Sequence, residues 1–327
     1  MKLPSICILG GTGFVGTRLV SRLIKEGGRV SVLSRDREQH KHLLVLPGLT
    51  IENCDVYDEA QLSERFRGKD VVVNLVGILN ERGFGGSGFR RAHVELTRGI
   101  LQAARSAGVA RLLHVSALNA GPEAPSHYLR TKGEAERLIR AESAHLDWTI
   151  FQPSVIFGPR DSFLNRFAAL LGTVPLVFPL ARPGARFQPV FVDDVIEALM
   201  RCLHGGACGH RTIQLGGPEV FTLRDIVATV ARLTGRRRWI IGLPDALARV
   251  QGLAMDFVPG RPFSTDNYRS LTIDSVCTEN GFASLGIKPQ SMMAAARQYL
   301  GAQEDNARLS RDRAGAGRTA APTAASR

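Results

Sequence analysis

The chain has 327 residues, 44% of them hydrophobic, with 42 Lys and Arg against 30 Asp and Glu for a formal charge of +12. That is ample for a sizeable core, as two domains or as one large α/β domain with an appended lobe. No apolar run reaches the ~18–20 residues that span a bilayer, and the basic residues are not interleaved with aromatics as nucleic-acid recognition requires. The five cysteines, Cys7, Cys54, Cys202, Cys208 and Cys277, are scattered and odd in number, which suits a reducing compartment better than a disulfide framework. The apolar pattern begins within the first ten residues and leaves no room for a signal peptide. A cytoplasmic protein, or one peripheral to the inner membrane, is expected. The charge reads as arginine-rich solvated faces, with an anionic membrane surface or phosphorylated ligands as the alternatives.

The first predicted element is a buried strand, Ile6 to Leu9. It runs into Gly10, Gly11, Gly13 and Gly16, and the apolar period then becomes helical through Val15, Leu19, Val20 and Leu23. Strand, glycine turn and helix in that order make a dinucleotide-binding unit. Gly10 allows the tight turn, Gly13 admits the pyrophosphate to the backbone, and Gly16 lets the helix pack close. The stretch Gly10, Gly11, Thr12, Gly13, Phe14, Val15 and Gly16 is therefore the candidate phosphate loop, with the helix N-terminus supplying N–H groups and a positive dipole end.

Further strands are predicted at Arg29–Leu33, Ile51–Asn53, Asp70–Val76, Arg111–Ser116 and Asp147–Phe151. Helices are predicted at Gly13–Lys25, Glu59–Phe66, Arg91–Ala107 and Leu129–Ala141. This alternation predicts a Rossmann-type, doubly wound parallel sheet over residues 1–150. Beyond it, prolines at 153, 159, 175, 179, 183 and 189 break the pattern. Residues 151–302 read as a smaller substrate lobe interleaved with the sheet, with helices near Phe163–Leu171, Val192–His204 and Leu223–Thr234, and residues 303–327 as a disordered tail.

The end of the second strand selects the cofactor. A carboxylate there binds the 2′-hydroxyl of NAD, and a basic residue suits the 2′-phosphate of NADP. Here Ser34 and Arg35 take the first positions and Asp36 comes late, which favours NADP(H) over NAD(H). A solvated basic loop is the plainer reading.

The spacing Gly10-x-x-Gly13-x-x-Gly16, with the later pair Tyr128-x-x-x-Lys132, resembles the extended and atypical short-chain dehydrogenase/reductases, the NAD-dependent epimerase/dehydratase family. The resemblance implies that Asp55-Val56 contacts adenine and that Leu75, Val76 and Gly77 support the cofactor. It also implies a Ser116–Tyr128–Lys132 apparatus for hydride transfer. Tyr128 is the general acid or base, Lys132 lowers its pKa and reaches the nicotinamide ribose, and Ser116 orients a carbonyl. Tyr128 and Lys132, four apart, share one helix face. His93 stands where the family carries Asn.

The phrases Asn74-Leu-Val-Gly-Ile-Leu79, His114-Val-Ser-Ala-Leu118, Ser126-His-Tyr-Leu-Arg-Thr-Lys-Gly-Glu134, Phe151-Gln-Pro-Ser-Val-Ile-Phe-Gly158 and Phe187-Gln-Pro-Val-Phe-Val-Asp-Asp194 are similar to one atypical branch. It contains the NAD(P)H-binding accessory subunit of mitochondrial complex I and its bacterial relatives. The resemblance implies that Pro153, Ser154 and Val155 flank the nicotinamide.

Other signals have plainer readings. Asp193 and Asp194 read as the first turn of a helix rather than a catalytic pair. Cys202, His204, Cys208 and His210 read as a loop, and no metal is expected. Trp239–Val258 reads as lobe packing, with a membrane or partner surface as the alternative. The expected function is hydride transfer to a small or lipid-like carbonyl or alcohol. The alternatives are an NADPH-binding scaffold or redox sensor on a membrane respiratory or quinone-related complex, and a sugar-nucleotide epimerase or dehydratase. The compact loop 118–126 and the missing Asn count against the last.

Overall fold

The computed structural model describes residues 3–301 except 44, 82, 143, 206 and 207, so the tail expected at 303–327 lies outside the described residues. In chain order the elements of the first half are β1 (Ile6–Leu9), α1 (Phe14–Lys25), β2 (Val30–Ser34), β3 (Leu49–Asn53), α2 (Glu59–Phe66), β4 (Val71–Asn74), α3 (Ser87–Arg90), α4 (Leu96–Ala107), β5 (Arg111–Val115), α5 (His127–Ala141) and β6 (Asp147–Pro153). The second half continues with β7 (Ile156–Phe157), α6 (Leu164–Thr173), β8 (Val177–Leu180), β9 (Arg186–Phe187), β10 (Val190–Phe191), α7 (Val192–Leu203), β11 (Arg211–Leu215), β12 (Phe221–Thr222), α8 (Leu223–Leu233), β13 (Trp239–Gly242), α9 (Asp245–Met255), α10 (Thr265–Ser270) and α11 (Met292–Ala296).

Seven parallel strands form one sheet in the order β11-β6-β5-β4-β1-β2-β3. Because the order steps outward from β1 to β3 on one side and from β4 to β11 on the other, it reverses between β1 and β4, and the crevice outside their carboxyl ends is where such sheets take ligands. The sheet is apolar on both faces. Ile6 and Ile8 pack with Leu19, Leu23, Val195 and Leu199 from α1 and α7 on one side. Cys7 and Leu9 pack with Leu62, Phe66, Leu96 and Ile100 from α2 and α4 on the other. A third cluster, around Phe157, Leu164, Phe178, Phe191, Ile226 and Val230, is the core of the second half.

The edge strand β11 gave no sequence signal, because only Ile213 and Leu215 of its five residues are buried. The predicted helix 91–107 is interrupted: Arg91–Glu95 is a π-helical turn between α3 and α4. The strand predicted at 70–76 stops at Asn74, after which the Leu75 N–H bonds to Leu9 O and the Val76 N–H to the Asn74 side chain. Cys202 and Cys208 form a disulfide, with Cα atoms 5.6 Å apart. This corrects the expectation of unpaired cysteines: the turn from α7 into β11 brings the two within bonding range. Among the described residues no cluster of three potential metal ligands occurs, and no helix is long and apolar enough to cross a membrane.

The glycine turn is dictated by space. Gly10 has φ +78, and a Cβ there would stand 3.0 Å from the Leu75 carbonyl carbon. A Cβ on Gly16 would stand 2.2 Å from Gly10 O, so the helix packs on the turn itself. Gly11 faces Val32 of β2 in the same way, at 2.7 Å. We expect Gly16→Val to cost at least about 3 kcal/mol, read as a lowered urea midpoint with unchanged m-value; a midpoint equal to wild type would contradict this packing.

Candidate active site

The N-terminus of α1 is open. Its cap residue Gly13 offers no side-chain hydrogen bond, and the first turn holds no acidic residue. The free N–H groups of that turn and the positive dipole end face the crevice beside Gly10, the arrangement that takes a phosphate. Thr12, Phe14 and Val15 are half-buried in this turn. The donor set and the Cβ-free cradle fit a dinucleotide.

At the end of β2 the structure divides the two predicted phosphate ligands. Ser34 is buried, and its hydroxyl donates to Asp36 O and accepts from the Asp36 N–H. The hydroxyl is thus engaged within its own turn. Arg35 is exposed and remains available. Asp36 points into the next turn, where its carboxylate accepts from the Glu38 and Gln39 N–H groups. Sequence reasoning missed Arg91, whose guanidinium lies 4.4 Å over the Tyr57 ring. Burial raises the Tyr57 phenol, and Arg91 and Arg35 both pull it down, so the two cations share that neighbourhood. Asp55 is exposed and accepts from the Tyr57 N–H, with Val56 half-buried beside it.

Helix α5 carries the pair Tyr128 and Lys132. Its N-terminus is fixed twice: Ser126 accepts from the Leu129 N–H, and Asp266 of α10 accepts from the N–H groups of His127 (2.7 Å) and Tyr128 (3.1 Å). Asp266 also escaped sequence reasoning, because a cap supplied from 138 residues away leaves no local signal. Lys132 is buried, and its Nζ donates to Val115 O at 3.0 Å and Val76 O at 3.4 Å. A Cβ on Gly77 would lie 3.2 Å from that Nζ. Leu75, Val76 and Gly77 therefore link the glycine turn to the lysine, at one end of the sheet.

Burial lowers the Lys132 ammonium to about 8, with Glu136 opposing. The Glu136 carboxylate is itself bound by Gln152 and Arg140. Tyr128 stands edge-on to Phe89 and His93, and burial pushes its phenol up to about 12. This corrects the expected lowering by Lys132: the ammonium is spent on two carbonyls, and the apolar surroundings of the phenol decide.

His93 sits in the π-helical turn, a feature common at functional sites. Its Nε2 accepts from the Ile78 N–H at 3.3 Å. Thr131 donates its hydroxyl to backbone carbonyls, so His93 Nδ1 carries the proton and donates to Thr131 Oγ1 at 2.9 Å. Burial and Lys132 lower His93 to about 2, so it is neutral. His114 is held neutral in the same way, with Asn74 donating to its Nδ1 at 3.1 Å.

The remaining predicted residues divide. Ser116 is buried at the sheet end, and its Oγ has no hydrogen-bond partner among the described residues. Ser154 is also buried, but its hydroxyl is engaged by Ser275. The 275 segment therefore engages the hydroxyl expected beside the nicotinamide. Pro153 closes β6 and accepts from the Leu118 N–H, and Val155 accepts from the Val190 N–H. Asp193 and Asp194 lie in the first turn of α7, where Asp193 pairs with Arg18 and Asp194 accepts from the Gln290 N–H.

Two cavities flank α5. One of about 610 Å³ is lined by His127, Arg130, Thr131, Glu134 and Arg137, a helix face that omits Tyr128 and Lys132. The other, about 230 Å³, lies between the 81–89 loop and α9–α10 and is lined by Phe84, Phe89, His127, Leu253 and Asp266. Its Phe89 wall is the ring that meets Tyr128 edge-on.

A family model described as NAD(P)H-binding matches residues 10–161. The chain is 31% identical over 292 residues to the NADH dehydrogenase [ubiquinone] 1 alpha subcomplex subunit 9, mitochondrial, of Mus musculus, covering 86% of this chain and 76% of that one. This chain belongs to the family of that complex I subunit. It is also 28% identical over 251 residues to a ceramide reductase of Caulobacter vibrioides, covering 77% of each. The fold is that of a dTDP-glucose 4,6-dehydratase from Streptomyces venezuelae, with a TM-score of 0.70 at 20% identity over 90% of this chain and 95% of that one.

The lowered lysine gives a pH test. The unfolded chain holds the Lys132 proton up to about 10.5 and the folded one only to about 8. Between these values the unfolded state binds more protons, so this group makes stability rise with pH. We expect wild type to gain on Lys132→Met by up to about 3 kcal/mol between pH 8 and 10.5, read from urea unfolding; parallel pH profiles would refute the buried ammonium. Separately, Asp266→Ala should cost about 1–2 kcal/mol, and Asp266→Asn less, by the same measurement.

Proposed function

We propose that the chain is an NADP(H)-dependent oxidoreductase acting on a small or lipid-like carbonyl or alcohol. The observation that carries this reading is the junction at Leu75–Gly77. There the phosphate-binding turn and the buried Lys132 meet at the sheet end, with Tyr128 one turn away on the same helix face. The nicotinamide cofactor supplies the hydride donor or acceptor when bound. Tyr128 supplies the proton: a phenol near 12 is fully protonated at neutral pH, which suits it to act as the acid for a carbonyl oxygen in the reductive direction. The orphaned Ser116 hydroxyl is free to donate to a ligand oxygen.

Preference for NADP(H) rests on Arg35 and Arg91 flanking Tyr57 and on Asp36 turning away. A lipid-like substrate is supported by similarity to a protein named ceramide reductase, with Phe84, Phe89 and Leu253 as the apolar part of an otherwise polar lining in the smaller cavity. A second reading is a non-catalytic NADPH-binding subunit or sensor. It is favoured by the Tyr128 phenol, which lacks the lowering that a general base in the oxidative direction needs, and by the similarity to a complex I subunit.

Titration of stripped protein with NADPH and NADH, followed by nicotinamide fluorescence, tests the cofactor. Arg35→Ala should weaken NADPH about tenfold or more and leave NADH unchanged. An equal loss for both nucleotides would remove the 2′-phosphate assignment. With a long-chain ketone as substrate, Tyr128→Phe should lower NADPH oxidation at least about a hundredfold while NADPH affinity stays. Tight, slowly released NADPH without turnover on any carbonyl would instead favour the subunit reading.

A further inference from the structure

Sequence reasoning expected Trp239–Val258 to pack within the lobe. Instead it forms β13 and α9, and half of each is solvent-facing. Strand β13 pairs in parallel with β8, setting Trp239 beside Val177 and Ile241 beside Pro179. Alternation puts Phe178 and Leu180 into the core and leaves Val177, Pro179, Trp239 and Ile241 outward. Trp239 is 75% exposed and the neighbouring Leu176 71%.

Helix α9 repeats the pattern. Ala248 and Gly252 are buried, whereas Leu247, Val250 and Leu253 are outward at three-residue spacing, with Phe257 beyond them. Gln251 donates to Pro179 O, tying the helix to the ribbon, and Phe257 meets the exposed Phe84 at 5.7 Å between ring centres. The result is one apolar face from Trp239 to Phe84, larger than the scattered single residues of an ordinary surface.

Charge selects what this face meets. From residue 232 to 261 the chain carries six arginines against two aspartates. Arg236, Arg237 and Arg238 immediately precede Trp239. Of the two acids, Asp245 is bound by Arg182 and Arg249, and Asp256 is buried on Thr265. Arg232 and Arg237 are exposed, whereas Arg238 donates to Leu171 O and Val174 O and Arg261 to Glu81 O. A protruding Trp with aliphatic neighbours beside the exposed Arg237 matches the interfacial zone of an anionic bilayer, where the apolar face enters the acyl boundary and cations meet phosphates. We propose that the chain docks peripherally on an anionic lipid bilayer through this β8–β13–α9 face. The docking is independent of whether the nucleotide site turns over.

The test is flotation of the full chain with phosphatidylcholine vesicles, with and without phosphatidylglycerol. Binding should require phosphatidylglycerol and weaken in high salt. The emission of Trp239 should shift to the blue on binding and be quenched by brominated lipid, while the buried Trp148 stays constant. The triple variant W239S/L247S/F257S should lose at least about tenfold in vesicle affinity, and Arg237→Glu about fivefold or more. Both should keep wild-type NADPH binding and circular dichroism, because the altered side chains are outward. Absence of vesicle binding at low salt would overturn the proposal. So would binding unchanged by the triple variant. A wild-type dimer that the triple variant splits, with no lipid binding, would mark the face as a contact between copies and equally overturn it.

Discussion

Backbone passes backbone at the switch point of the sheet, and the site depends on that contact. Gly10 turns under the Leu75–Val76 peptide with no room for a Cβ, so β1 can hand over to α1 immediately outside the sheet end. The contact fixes two groups at once. It aims the uncapped N-terminus of α1 into the crevice, and it holds the carbonyl of Val76 where Lys132 can reach it. A side chain at Gly10 or Gly16 would therefore displace the phosphate loop and the lysine together.

The electrostatics at that point follow from burial. An ammonium removed from water needs acceptors, and Lys132 finds two carbonyls at strand ends. Its basic neighbours His93 and His114 stay neutral because burial disfavours their charged forms, with repulsion from the Lys132 ammonium adding to the cost. Hydrogen bonds then fix both imidazole tautomers: a protonated Nδ1 in His93 and a protonated Nε2 in His114. The phenol of Tyr128 obeys the same rule and stays protonated.

The legible parts of the sequence were those whose cause is local. The glycine turn, the alternation of β1 to β6 with α1, α2, α4 and α5, and the placing of Tyr128 and Lys132 on one helix face all follow from spacing within a dozen residues. What spacing does not carry is long-range. The cap of α5 by Asp266 and the Ser154–Ser275 pair join segments more than a hundred residues apart. The pairing of Arg91 with Tyr57 crosses from α2's leading loop to the π-helical turn. The Tyr128 phenol was misjudged for a related reason: composition shows that an ammonium is present nearby, but its partners decide whether it is free.

Asp266 and the apolar face connect the two halves of the molecule. Helix α10 caps α5 through Asp266 and packs against α9, and α9 carries the outward Leu247, Val250 and Leu253. The residue that orients the start of the Tyr128 helix thus stands one helix away from the surface with the largest exposed aromatics. The smaller cavity lies between them, lined by Phe84, Phe89 and Leu253 together with Glu81, Asp256, Arg261, Asp266 and Arg269, so that apolar and charged side chains share one cavity wall where the two halves meet.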